Sequence, residues 1–281
     1  MVKEKEVSNA EREFIHQSIK EGLRNDNRGI NDMRRVKIIL GPQLGQAQIV
    51  LGRTRVIANV SCEIVRPSGS SPTEGSIQFN TEFTSMASPL FEPDRTSELE
   101  VNLSRMLEKA MRKSRAIDTE GLCIVAGEKV WSIKVHIRVI DYEGNILDCA
   151  CLATMAALIH FKRPDVTVQG QDVTIHDVDE KSPISLSVHH IPICITFGFF
   201  DNGERHVIDP NWMEEQVQEG DITFVINVHR EICTLSKAGG VPISMEKVLQ
   251  CASIAGVKVA ELNKILKDAI AEVILNGSLF F

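Results

Sequence analysis

Basic side chains are concentrated between residues 105 and 115, in a stretch whose spacing predicts a helix. They are Arg105, Lys109, Arg112, Lys113 and Arg115. The first three are separated by four and three residues, so they lie along one stripe of that helix. Flexible cations in such a row can contact phosphates whatever the nucleotide sequence. The alternative is a purely structural role, because basic residues in the last turn of a helix also interact favourably with its dipole.

Two more arginines, Arg53 and Arg55, follow Gly52 in the turn of a predicted β-hairpin. They too could contact phosphate. For either one alone, a solvated turn arginine is the simpler interpretation, because exposed charges commonly have no specific partner. We therefore rank these two arginines below the five on the helix as candidates for binding phosphate.

An acidic segment brings one histidine close to several carboxylates: His176, Asp177, Asp179 and Glu180. A histidine beside carboxylates could ligate a metal ion, but no second histidine at ligand spacing accompanies it, which favours a surface role. We interpret it as acidic surface and predict no metal and no cofactor. The seven cysteines likewise lack the paired spacing of a zinc site or a disulfide framework, so we expect reduced and mostly buried thiols.

A central segment must position these residues. Its apolar residues alternate with polar ones, the period-2 pattern of a strand with one buried face. They are Trp131, Ile133, Val135, Ile137 and Val139. A hairpin turn at residues 141–145 is predicted to lead into a short return strand at Ile146 and Leu147. Asp148 is then placed to cap an Ala-rich helix, residues 149–160, that is buried on nearly all sides.

Similar patterns extend over the rest of the chain. A capping box at Ser8 and Glu11 predicts a helix at residues 8–23. The sequence DNGE at residues 201–204 predicts another hairpin turn. Ser244 is placed to cap a long final helix. The sequence therefore predicts two strand-rich halves, each closed by helices.

Composition narrows the class of protein. The chain has 281 residues, 43% hydrophobic and 25% charged, as in globular proteins that fold in water. Its N-terminus, MVKEKEVSNAERE, is too charged for a signal peptide, and no apolar run approaches the length of a membrane span, so we expect an intracellular protein without membrane contact. The net charge is -7. Basic residues outnumber acidic ones only before residue 116, so RNA-facing charge is expected in that part.

Four long strings resemble the RNase PH-like ring subunits of the eukaryotic RNA exosome. They are RAIDTEGLCIVAGEKVW at residues 115–131, RPDVTVQG at 163–170, HHIPIC at 189–194 and NVHREICTLSKAGG at 227–240. The resemblance runs from about residue 8 to about residue 271, and the tail at 276–281 departs from it. It implies one α+β RNase PH fold. The two halves, about 28–170 and 184–275, would have mixed or antiparallel sheets packed on helices.

The resemblance also bears on catalysis. Active relatives attack RNA with inorganic phosphate, which they hold with a Ser or Thr and an Arg at the start of the helix after the central turn. The matching residues here, LDCACL at 147–152, contain no arginine, and Asp148 adds a negative charge that repels phosphate. Of the acidic pair in active relatives, Asp209 remains as a residual acidic position. We therefore predict no catalytic residue.

A non-catalytic structural and RNA-channel subunit of the ring is the function that this resemblance implies. Its expected partners are other RNase PH-like ring subunits, cap subunits, associated ribonucleases, and RNA bound without sequence specificity. RNA processing, including that of rRNA, in the nucleus, nucleolus and cytoplasm is the expected setting. The alternative is a contribution to a composite phosphorolytic 3′-5′ exoribonuclease site shared with a neighbouring subunit of the catalytic lineage.

Overall fold

The structure is a computed structural model and describes residues 7–69, 71–89, 91, 96–169, 172–176 and 180–277. Over these residues it has five α-helices and fourteen strands. The helices are α1 (Asn9–Lys20), α2 (Glu98–Glu108), α3 (Ile146–His160), α4 (Trp212–Val217) and α5 (Met245–Gly277). The strands up to α3 are β1 (Val36–Leu40), β2 (Gln46–Leu51), β3 (Thr54–Val65), β4 (Ser76–Phe83), β5 (Cys123–Val125) and β6 (Lys129–Asp141). Those after it are β7 (Lys162–Arg163), β8 (Val166–Gln169), β9 (Asp172–Ile175), β10 (Ile184–Ser185), β11 (Ile193–Phe200), β12 (Arg205–Ile208), β13 (Gly220–Ile226) and β14 (Ile232–Ser236).

The first large sheet has the strand order β1-β2-β3-β6-β4, and β5 pairs with β6. Strand β4 runs parallel to β6, and the other pairs in this sheet are antiparallel. The predicted alternation along β6 is confirmed, because the five apolar residues that define it, from Trp131 to Val139, are at most 2% exposed while His136 and Arg138 are exposed. The hairpin of β2 and β3 is also confirmed, with Gly52 at φ +62° in its turn.

The second large sheet is antiparallel, with the order β12-β11-β13-β14. Its central strand β11 is buried along its whole length. The predicted turn between β11 and β12 is confirmed, with Asp201, Asn202 and Gly203 all at positive φ. Two short two-stranded ladders, β7 with β10 and β8 with β9, lie between the large sheets in the chain.

Helix α3 packs against strands of both large sheets and joins them. Twelve of its fifteen residues are buried, so it has no polar face. Helix α5 packs on the second sheet, where Ala255, Val259 and Leu262 meet Ile195 and Phe224 in a separate core. This places the beginning of α3 between the two halves of the molecule.

The capping boxes of α1 and α2 are formed, by Ser8 with Glu11 and by Ser97 with Glu100. Helix α1 ends earlier than predicted, at Lys20, with Glu21 as its C-cap. Helix α2 continues past Glu108 as a π-helical turn, Lys109–Lys113, so the basic cluster spans two kinds of helix. In the described part of the chain, no helix is both long and apolar enough to cross a membrane.

Candidate functional site: a cleft at the start of α3

A cavity of about 530 Å³ opens where α2, the start of α3 and the second sheet meet. We call it the cleft. Its polar lining includes Arg105, Lys109, Asn145, Thr196, Glu215 and Asp221. Leu99, Leu103 and Met106 of α2 supply part of its apolar wall. Two of the seven predicted phosphate-binding residues, Arg105 and Lys109, thus lie in a cavity of ligand size.

The chain enters α3 through two residues with positive φ, Gly144 at +87° and Asn145 at +49°. A side chain on Gly144 would place its Cβ 2.5 Å from the backbone nitrogen of Trp212, so only glycine fits there. Asn145 tolerates the left-handed conformation and is the N-cap residue of α3. The predicted return strand at Ile146 and Leu147 is therefore wrong, because this turn leads directly into the helix.

Asp148 is not the N-cap that the sequence predicted but the third residue of α3, and it is 4% exposed. Its carboxylate accepts hydrogen bonds from the Thr196 backbone nitrogen at 2.9 Å, Thr196 Oγ1 at 2.8 Å and Asn145 Nδ2 at 2.8 Å. Burial raises its pKa to about 6, although these hydrogen bonds act in the opposite direction. Asp148 thus fastens α3 to β11 of the second sheet.

Asp209 is fully buried and lies at the centre of a cluster of arginines. Its carboxylate accepts from Arg34 Nη2 at 2.7 Å, Arg34 Nε at 2.9 Å, Arg28 Nη1 at 3.0 Å and Asn145 Nδ2 at 2.7 Å. The Arg34 backbone nitrogen also donates to it, at 2.8 Å. Burial acts to raise the pKa of Asp209, but the hydrogen bonds and charge of Arg34 outweigh it and the pKa is lowered. The residual acidic position is therefore a fully paired carboxylate.

A second ion pair anchors the loop between α1 and β1. Arg24 donates from Nε and Nη2 to the Glu214 carboxylate at 2.9 and 2.5 Å, and both side chains are at most 2% exposed. Arg24 also donates to the backbone oxygens of Ile208 and Asp209. No residue of this loop was among the candidates named from the sequence. The loop's arginines at 24, 28 and 34 were the available signal, but their partners lie more than 170 residues away.

Glu215, next to Glu214 on α4, reaches Asn145, the N-cap residue of α3. Its Oε1 accepts from the Asn145 backbone nitrogen at 2.6 Å, and its Oε2 accepts from Tyr142 Oη at 2.8 Å. Burial raises the pKa of Glu215 to about 7, against the effects of the two hydrogen bonds and of Arg34. The beginning of α3 thus receives a carboxylate from the other half of the molecule.

The other predicted phosphate-binding residues lie outside the lining of the cleft. Arg112 is exposed and pairs with Glu108 at 2.9 Å, while Lys113 and Arg115 are exposed beyond it. Arg53 is exposed, and Arg55 pairs with Asp141 at 3.4 Å. The structure therefore divides the candidates between the cleft wall and open surface.

The acidic segment contains His176, which pairs with Glu180 at 3.2 Å and hydrogen-bonds to Thr167 Oγ1 at 2.6 Å. Asp177 and Asp179 lie outside the described residues. Among those described, no group of three or more His, Cys, Asp or Glu side chains is arranged to hold a metal ion. All seven cysteines are free thiols.

The fold is that of RNase PH-type proteins. Residues 32–164 match domain 1 of the 3′ exoribonuclease family, and residues 190–257 match its domain 2. Exosome complex component RRP45 of Rattus norvegicus is 46% identical over 96% of this chain, and exosome complex component rrp45 of Schizosaccharomyces pombe is 40% identical over 95%. The chain covers 62% of the rat protein's length and 92% of the yeast protein's.

A solved structure supports the same family assignment. A chain of the Archaeoglobus fulgidus exosome with RNA bound to the active site has a TM-score of 0.80 and 27% identity, covering 91% of this chain and 97% of its own. This chain therefore belongs to the 3′ exoribonuclease (RNase PH) family. The predicted α+β RNase PH fold is confirmed.

Proposed function

We propose that this chain is a non-catalytic structural and RNA-channel subunit of an exosome core ring, supporting 3′-to-5′ RNA processing and degradation. Within the ring we assign it the position of exosome component 9, the polymyositis/scleroderma autoantigen subunit. The names of the relatives support this assignment, since the rat and fission yeast proteins are both exosome complex components.

The pairing of Asp209 is the observation that carries the non-catalytic assignment. A carboxylate that acts as a general acid or holds a metal ion must be accessible to the reacting groups. Asp209 is fully buried and accepts hydrogen bonds from Arg28, Arg34 and Asn145. At the start of α3, where an anion would bind, the chain places Asp148 and Glu215 and no arginine of its own segment 147–152. The pairing of Asp209 and the carboxylates at the start of α3 both oppose phosphorolysis.

RNA contact is assigned to the basic residues of the first half. The first candidates are Arg105, Lys109, Arg112, Lys113 and Arg115, and Arg53 and Arg55 rank below them. All lie before residue 116, where basic residues exceed acidic ones. Exposure of Arg112, Lys113 and Arg115 supports contact with a passing phosphodiester chain, which needs no base-specific geometry.

The ring neighbours, cap subunits and associated ribonucleases are the proposed partners. Nucleus, nucleolus and cytoplasm are the proposed locations, with rRNA processing among the proposed tasks.

The double variant Arg112→Glu plus Arg115→Glu tests the RNA assignment. In the assembled ring it is expected to weaken RNA binding by roughly tenfold and to lower the slope of log affinity against log salt by about 2, because two phosphate contacts are lost. Fluorescence anisotropy over a salt series measures both quantities.

The matched control is Lys264→Glu plus Lys267→Glu, which makes the same charge change at exposed positions of α5. The control ring is expected to bind RNA like the wild-type ring. RNA binding by the Arg112 and Arg115 variant that equals the control at low salt would remove these residues from the RNA path.

A further inference from the structure

Two histidines of the second half pack against the end of the basic cluster. The His189 backbone nitrogen donates to the Ala116 backbone oxygen at 2.8 Å. The ring Nε2 of His190 lies 3.2 Å from Ser114 Oγ, and strand β14 packs on the π-helical turn. These contacts place both histidines beside the exposed cations at the end of the cluster, which are Arg112, Lys113 and Arg115.

A third histidine lies in the tight turn between β13 and β14, where His229 and Arg230 are exposed. Buried Asn227 holds this turn. Its Oδ1 accepts from the Glu231 backbone nitrogen at 2.9 Å, and its Nδ2 donates to the Glu231 carboxylate at 2.6 Å. The turn therefore presents His229 and Arg230 to solvent while its acidic residue is engaged by an amide.

The three histidines form one group around His190. Burial lowers the pKa of His190, the charge of Glu231 opposes this effect, and the charges of His189 and His229 reinforce it. Cys233 Sγ lies 3.7 Å from the His190 ring, on the side of β14. His190 is therefore neutral near pH 7 and positions the two segments that carry the exposed histidines.

Histidine gains its positive charge as the pH falls from about 8 to 5. His189 and His229 are exposed, so in mild acid they add two cations to the surface formed by the end of the basic cluster. A phosphodiester chain responds to local positive potential, so the net charge of -7 on the whole chain does not oppose binding at this surface.

We propose that the RNA-facing surface crosses from the π-helical turn to His189 and His229 of the second half, so that acidification strengthens its hold on RNA. The ligand class is single-stranded RNA, because a row of exposed cations contacts phosphates without base-specific geometry. The inference rests on the proposed function, since it extends the contact assigned to Arg112 and Arg115. It places part of the RNA surface after residue 116, where acidic residues outnumber basic ones.

Binding of fluorescently labelled poly(U) RNA by the assembled ring, at pH 6 and pH 8 over a salt series, tests this proposal. The wild-type ring is expected to bind roughly three- to tenfold more tightly at pH 6, with a salt slope steeper by about 1, because two histidines add phosphate contacts. The variant His189→Gln plus His229→Gln is expected to lose most of this gain and to bind like the wild type at pH 8.

His136→Gln is the matched control, since His136 is an exposed histidine on β6 of the first sheet. It should keep the pH dependence of the wild type. A second variant, His189→Arg plus His229→Arg, makes both charges permanent. It is expected to bind at pH 8 as tightly as the wild type does at pH 6, a gain that misfolding could not produce.

The arginine variant Arg112→Glu plus Arg115→Glu, measured in the same assay, separates this inference from the proposed function. If that variant loses affinity while the glutamine variant keeps the full pH dependence, the inference is wrong and the proposed function stands. If the arginine variant binds like its control, both are wrong. A pH-dependent change in ring assembly on gel filtration, without a change in RNA affinity, would also overturn the inference and assign the histidines to contact with a neighbouring subunit.

Discussion

Replacing Asp209 with asparagine is expected to lower the free energy of unfolding by about 3–5 kcal/mol, because the nearly buried Arg34 guanidinium loses its counter-charge and Arg28 keeps only its pair with Asp26. The side chains of Arg28 and Arg34 are 13% and 9% exposed, and Asp209 is fully buried. Asparagine keeps the size of the side chain and tolerates the positive φ of 52° at this position, so backbone strain does not enter the comparison. Urea unfolding followed by circular dichroism measures the change.

Asp141→Asn is the control for this experiment. Asp141 also pairs with an arginine, Arg55, but both side chains are nearly half exposed. Exposed ion pairs contribute about 1 kcal/mol or less, so the control should unfold almost like the wild type. If both variants lose the same small amount of stability, Asp209 does not hold the two halves together.

The second large effect is on the pH dependence of stability. The pKa of Glu215 is raised from an ordinary 4.5 to about 7 in the folded protein, chiefly by burial. The folded state therefore binds this proton more tightly than the unfolded state does, and stability falls as the pH rises from about 4.5 to 7. Relative to Glu215→Gln, which cannot titrate, the wild type is expected to lose about 2–3 kcal/mol over that range.

Urea unfolding at half-unit pH intervals for both proteins measures this difference. Asp148, whose pKa is raised to about 6, titrates in both proteins. Asp209, whose pKa is lowered from 3.8, stays ionised over this range in both, so the difference between the two curves reports Glu215. A wild-type curve that is parallel to the Glu215→Gln curve from pH 4.5 to 8 would show that folding does not raise the pKa of Glu215.

Local sequence patterns predicted those elements whose structure depends on neighbours in the chain. The alternation from Trp131 to Val139 predicts β6 because one face of that strand is buried. The capping box at Ser8 locates the start of α1 because the groups that bond are three residues apart. These features require no knowledge of tertiary contacts.

The start of α3 was predicted wrongly because tertiary contacts decide it. Asp148 is a favourable N-cap residue by type, but the structure turns its carboxylate to Thr196 and gives the capping position to Asn145. Ile146 and Leu147 are apolar in either a strand or a buried helix, so their composition could not distinguish the two. The tight approach of Gly144 to Trp212 fixes the turn, and that approach is not visible in the sequence.

The candidate site was predicted in part. Arg105 and Lys109 were found from their helical spacing, and Asp209 from the resemblance to active relatives. The partners of Asp209, Arg28 and Arg34, were missed because a polar loop gives no sign of which distant group it contacts. Glu215 was not among the candidates, since nothing in the sequence places it beside Asn145.

Release of nucleoside diphosphates from RNA, with and without inorganic phosphate, tests the non-catalytic assignment most directly. The assay compares the purified chain alone with the chain co-assembled with its RNase PH-like neighbour, and gel filtration confirms assembly. We expect a stable assembly and no phosphate-dependent release in either sample. Phosphate-dependent release by the assembly, abolished by the Arg112 and Arg115 charge reversal, would make this chain part of a composite phosphorolytic site. Release by the chain alone would contradict the account based on Asp209 and Glu215.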